Sequence, residues 1–246
     1  MSSTTQILRS SLDTFNKVST GSQPKDIYVA QQWEMAGAHG MLVNALLHVY
    51  EKSNSIPSDK VQPFVEYALQ WYAALEHHHE WEETIYYPLF SPKFNTDAIV
   101  AEHETFHAGV EKLKEYLTSC LPAGTTWGYS QTVGPHEQQT FDSAHFRSLV
   151  DGFANELVTH LVQEISYLDP EKLRASGLTE EEVKHISEVS EKHMKSMPPF
   201  TFLVYTIIHA PKGSGFPPVP GFVKNILAPY VFYIPNRRLW QFAPKN

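Results

Sequence analysis

Apolar residues recur at steps of three, four and seven along four separate stretches of the chain, the period of helices with one buried face. From Asp26 onward, Tyr28, Met35, His39, Leu42, Leu46 and Val49 share a face, and the turn-forming run SNSIPSD closes the helix. A second helix is expected over about 60–90, with a seam of Phe64, Ala68, Trp71, Leu75, His78, Glu82 and Leu89 and with Pro88 and Pro92 as its stop. A third, about 96–119, carries Ile99, His103, Phe106, His107, Val110, Leu113 and Leu117. Residues 120–140 are rich in Gly, Pro, Thr and Gln and read as a loop, long for a compact bundle and therefore a candidate for function. The fourth helix begins near Phe141, with Asp142 or Ser143 as cap. It aligns Phe146, Leu149, Phe153, Leu157, His160, Glu164 and Leu168, and ends at Asp169-Pro170.

The flanks behave differently. Residues 1–25 are polar, with a Gly-Ser-Gln-Pro break, and read as a short helix or arm. A fifth helix, about 179–197, opens on Thr179-Glu180-Glu181-Glu182, a capping-box pattern. Beyond it lie Phe200, Phe202, Tyr205, Phe222, Tyr230 and Trp240, among other aromatics and prolines. That is too much apolar surface to leave in water. The segment is expected to pack across the bundle or to mediate a homodimer, with covering the mouth of a site as a third option. The organisation expected is thus an all-α chain: an arm (1–25), an antiparallel four-helix bundle (26–170), and a C-terminal helix with an aromatic extension packed on it (171–246).

Composition narrows the functions. The chain has 246 residues, 42% hydrophobic and 19% charged, enough for a sizeable core. Its formal net charge of -8 argues against nucleic acid as a partner and, more weakly, against an anionic membrane surface. No apolar run is long enough to span a bilayer, and the start MSSTTQILRSS lacks the apolar core of a signal peptide. With a single cysteine, Cys120, neither an internal disulfide nor a thiolate metal cage can form. The expectation is a reducing, cytoplasmic setting.

There are thirteen histidines, and their placement carries the chemistry. Each bundle helix sets histidine on its inward seam: His39 on the first, His78 with Glu82 on the second, His103 with His107 on the third, His160 with Glu164 on the fourth. Residues four apart lie one turn apart on one helix face, so each pair can aim two side chains at one point. Buried without partners, the two carboxylates alone would cost several kcal/mol each. Metal ions remove that penalty, and five imidazoles with two carboxylates suit iron or another first-row divalent metal rather than calcium or magnesium. Because His77, His78 and His79 are consecutive, at most one or two can face inward. The seam favours His78 with Glu82, and His79 with Glu83 is the competing register. His48, His136, His145, His185, His193 and His209 lack such partners and read as structural. Leu42, Leu75, Phe106, Val110, Phe153 and Leu157 are candidates for a dry lining around the site.

The order His, HxxxE, HxxxH, HxxxE resembles the hemerythrin-like family, also called the HHE cation-binding domain. HHEWEETIYYP (78–88), AEHETFH (101–107) and HLVQEI (160–165) are similar to its second, third and fourth helix signatures. The layout with an aromatic tail resembles fungal members. The resemblance implies two iron ions bridged by an oxo or hydroxo group, with manganese or a mixed pair as a second option. His103, His107 and His160 would hold one metal. His39 and His78 would hold the other, with one position open, and Glu82 and Glu164 would bridge them. The oxygen carriers of the family place an aspartate five residues after the last histidine, whereas here Glu164 follows His160 by four and Ile165 stands at the carrier's position. The implied function is binding of O2 or a related small oxidant for sensing, storage or iron handling. The alternative is a di-iron oxidase, oxygenase or peroxidase acting on a small organic substrate, with the 120–140 loop and the tail building its pocket. A third reading is an interaction module in which metal only holds the fold.

Overall fold

The computed structural model describes residues 2–244. Its elements in chain order are α1 (Ser3–Val18), α2 (Ile27–Lys52), α3 (Val61–Trp81), α4 (Asp97–Glu102), α5 (Glu104–Ser119), β1 (Thr126–Trp127), β2 (Gln131–Thr132), α6 (Ser143–Asp151), α7 (Ala154–Tyr167), α8 (Pro170–Ala175), α9 (Glu180–Ser196), α10 (Val204–His209) and α11 (Arg237–Trp240). The fold is all-α, and α2, α3, α5 and α7 form the core of a four-helix bundle. None of the described helices is long and apolar enough to cross a membrane.

Local chemistry sets the helix starts. The Asp26 carboxylate accepts from the backbone N–H groups of Tyr28 and Val29, which opens α2. Asp142 does the same for Ala144 and His145 at α6. Thr179 and Glu182 form a reciprocal capping box at α9. The apolar face of α2 read from the sequence is buried throughout, from Tyr28 to Val49.

Three interruptions shape the bundle core. The second helix passes from α3 into a π-helical turn over Glu82–Tyr86 and then a 3-10 turn over Tyr87–Phe90. The third is split at His103, where a tight turn (His103 N–H to Val100 O, 3.1 Å) separates α4 from α5. The fourth is split at Gly152 and Phe153, between α6 and α7. Each of these bends lies beside the histidine cluster or next to a residue that lines it.

The C-terminal segment docks on α2. A Cβ at Gly37 would lie 2.5 Å from the Phe216 ring, and one at Gly40 would lie 2.5 Å from Pro211. Glycine inside a helix costs about 1 kcal/mol, and here it admits the close approach of the tail on either side of His39. Gly21 and the 213–215 turn are tied by backbone hydrogen bonds of 2.9 and 2.6 Å. Arg238 holds the buried Glu66 through both carboxylate oxygens, one at 2.7 Å. Tyr205, Trp240 and Phe242 are buried, as packing across the bundle requires. Phe222 (60% exposed) and Tyr230 (71%) are not covered. The 120–140 region contains a small antiparallel hairpin, Thr126 opposite Thr132, that presses Trp127 against Tyr72.

Candidate metal centre

In the middle of the bundle, imidazoles from four helices converge by their Nε2 edges. His39 Nε2 lies 3.0 Å from His78 Nε2 and 3.3 Å from Glu164 Oε2. His78 Nε2 is 3.0 Å from Glu82 Oε1, and His103 Nε2 is 3.7 Å from Glu82 Oε2. His160 Nε2 is 3.4 Å from Glu164 Oε2. Glu82 and Glu164 therefore each touch both ends of one continuous cluster. One end contains His39 and His78. The other is built of His79, His103 and His160, with ring centroids 4.2 Å apart for His79–His103 and 4.6 Å for His103–His160. The ligating atoms of His79, His103 and His160 lie within 4.8 Å of one another, as do those of His39, His78 and Glu82.

The outward nitrogens of several rings are held. His39 Nδ1 is 2.8 Å from the Leu161 carbonyl, His103 Nδ1 is 2.6 Å from Glu83, and His160 Nδ1 is 3.1 Å from Glu102. With Nδ1–H donated outward, the Nε2 lone pair is left free toward the centre, the tautomer that a metal requires.

The inner atoms, by contrast, go unsatisfied. Both oxygens of Glu82, both oxygens of Glu164, and Nε2 of His79, His103 and His160 are buried without hydrogen-bond geometry to any partner. Seven such atoms in one spot would be costly in a core without a ligand, since each unpaired buried polar group loses about 1–3 kcal/mol. Charge adds to this. Burial, and then the neighbouring imidazoles, hold His78 and His79 well below the ordinary histidine range, and His160 down to about 2. Burial, and then the Glu164 carboxylate beside it, push Glu82 well up. Neutral imidazoles and crowded carboxylates are a donor set that a divalent cation satisfies, so the residues present fit bound metal.

Of the expected side chains, His39, His78, Glu82, His103, His160 and Glu164 are brought together. His107 is not. It is exposed and sits instead within 4.8 Å reach of Glu76 and Glu111 on the outer face of α3 and α5. His107 N–H still bonds the His103 carbonyl (3.1 Å), but α5 turns the His107 side chain to the outer face. His79, offered by the sequence only within the competing register with Glu83, occupies the place given to His107. The pairing of His79 with Glu83 does not form; Glu83 stands outside and orients His103. The signal for His79 was the histidine triplet itself, since successive residues of a helix point about 100° apart and so can serve two positions. The apolar lining expected around the site is buried in full, and the Phe106 ring lies 5.3 Å from those of His79 and His160.

The cluster is not sealed on every side. A cavity of about 600 Å³ opens between α2, α3, α9 and the C-terminal segment and reaches His78.

The profile described as Hemerythrin HHE cation binding domain matches residues 32–171. The chain is also 25% identical over 223 residues to a protein of Cryptosporiopsis sp. (strain 8999) named dimeric xanthone biosynthesis cluster protein R11, a match that covers 86% of this chain and 77% of that one. No solved structure matches it.

Proposed function

The chain belongs to the hemerythrin HHE cation-binding family, a metal-binding family, and from that premise we propose that its buried cluster holds two iron ions and binds dioxygen or a related small oxidant. The observation that carries this reading is the set of seven inward atoms left without partners: Nε2 of the three imidazoles at one end, and all four oxygens of the two carboxylates that reach His39 and His78 at the other. On this reading His79, His103 and His160 hold one metal, His39 and His78 hold the other, and Glu82 and Glu164 reach both. The end with two imidazoles is the one with room for a further ligand.

A ferrous pair would supply the electrons and the open position that a small oxidant needs. The chain's own contribution is positional. Leu161, Glu83 and Glu102 fix the ring orientations through Nδ1. Phe106, Leu75 and Leu157 keep water away from the inner atoms. The test is an optical spectrum of iron-loaded protein under nitrogen and again after oxygen. A new charge-transfer band that reverses on oxygen removal supports binding, whereas an unchanged spectrum speaks against it.

A second reading has its own support. The cavity that reaches His78 is far larger than dioxygen needs, and the Cryptosporiopsis relative is named for a biosynthesis cluster. Both favour an oxidoreductase acting on an organic molecule, and oxygen consumption that depends on such a molecule would distinguish it from simple binding.

A further inference from the structure

The cavity beside His78 has the size of a site for an organic molecule of drug-like dimensions. One wall is a run of near-parallel rings. Trp81 lies on Tyr86 (centroids 4.5 Å, planes 27° apart), on His78 (6.2 Å, 24°) and on His193 (6.4 Å, 23°). His193 in turn stacks on His77 (4.9 Å, 13°). Elsewhere the lining is mostly apolar, with Met35, Met41, Met194, Phe202, Phe216 and Pro217, and its polar side chains Gln31, Ser190 and Thr206 are hydrogen-bonded within the protein. The charged side chains of α9 that border the cavity, Lys184, Glu188, Glu191 and Lys195, are 62–73% exposed and so belong to its rim.

Inside, polar groups are few. The Trp81 indole N–H is buried with no acceptor. Glu34 has Gln23 as its hydrogen-bond partner and presents the rest of its carboxyl group to the cavity. Burial pushes that carboxyl up to about 7, so it can donate as an acid or accept as an anion near neutrality. A charged ligand would leave water for a chamber whose inner wall offers this single weakly ionised group as counter-charge.

We propose that the cavity binds a flat, uncharged, largely aromatic molecule carrying a carbonyl or hydroxyl group, stacked on the Trp81 wall, with its polar group met by Glu34 and the Trp81 N–H and its edge at His78. The purpose of such a site rests on the oxidoreductase reading above, but the binding itself does not. Aromatic stacking and the hydrogen bonds to Glu34 and the Trp81 N–H supply the preference, and the metal end of the cavity supplies its direction.

The test uses the full chain as purified, under nitrogen so that no turnover intervenes, with 1-hydroxyanthraquinone as probe. Binding is followed by quenching of tryptophan fluorescence and by equilibrium dialysis. Saturable binding of one probe per chain is expected. 1-Adamantanol (not flat), anthraquinone-2-sulfonate (anionic) and 9-aminomethylanthracene (cationic) should bind about tenfold more weakly or worse. Glu34→Leu should weaken the probe about tenfold and Leu203→Trp should abolish its binding, both with metal content unchanged. If Leu203→Trp does not fold by circular dichroism, Glu34→Leu decides. Absence of saturable binding, equal affinity for any of the three controls, or indifference to the substitutions would overturn the proposal. A chain that fails to take up iron when loaded yet binds the probe would overturn the di-iron reading and leave this one standing.

Discussion

His78 and His79 are adjacent in sequence and serve opposite ends of one cluster: His78 Nε2 lies 3.0 Å from His39 Nε2, while the His79 ring is 4.2 Å from that of His103. Neighbours on a helix point roughly 100° apart, too far to share a single ligand position but well placed to straddle two. The chain turns π-helical at Glu82, whose carboxylate reaches His78 with one oxygen and His103 with the other.

Metal content should follow this geometry. His79→Ala is expected to remove at least one metal per chain, while His107→Ala, on the outer face with Glu76 and Glu111, should leave the content of the core unchanged. Elemental analysis of both variants checks this, and the reverse result would return His107 to the ligand set.

Glu82 and Glu83 should differ in kind. Glu82 reaches both ends of the cluster, so Glu82→Ala is expected to disturb both metals. Glu83 touches only the outward nitrogen of His103, so Glu83→Ala should weaken metal affinity by about 10–100-fold and leave the stoichiometry intact at saturating metal. Competition titration against a chelator of known affinity separates the two outcomes.

Six of the seven side chains now found at the cluster were legible from spacing, because the ligand-bearing stretches stay helical enough to keep each of these residues on its inward seam. The seventh was not. Reasoning by one seam per helix chose His78 from the triplet and His107 from the third helix, whereas His79 serves a second position about 100° around α3 from His78. The capping residues of α2, α6 and α9 were legible for the opposite reason, since a cap is a local interaction. Docking of the tail on α2 through Gly37 and Gly40 was beyond the pattern: a glycine shows where backbone can approach, not what approaches it.

That docking predicts a stability cost. Gly37→Ala gains about 1 kcal/mol in helix propensity, but its methyl group would stand 2.5 Å from the Phe216 ring, and overpacking of this kind costs about 1–3 kcal/mol. Net destabilisation is expected, read as a lower urea midpoint, and an unchanged or higher midpoint would show that the tail yields freely.

Acid should destabilise the metal-free chain partly through His209. This ring is fully buried, with Nε2 2.6 Å from the Tyr67 hydroxyl, and burial holds it down to about 3. The unfolded chain takes up a proton near pH 6.5 that the folded chain refuses until about pH 3. Its contribution is therefore complete above 6.5 and falls by at most about 1.4 kcal/mol per pH unit below it. Urea unfolding at pH 4, 5, 6 and 7 in the presence of chelator should show a shallower decline in His209→Gln than in the unaltered chain. Parallel curves would contradict this.

The central claim is that two metals sit at the meeting of seven side chains, and X-ray diffraction at the iron absorption edge tests it directly. The account predicts two anomalous peaks per chain, one within coordination distance of His39 and His78, the other of His79, His103 and His160, with Glu82 and Glu164 reaching both. A single peak, or one found only beside Glu76, His107 and Glu111, would contradict it.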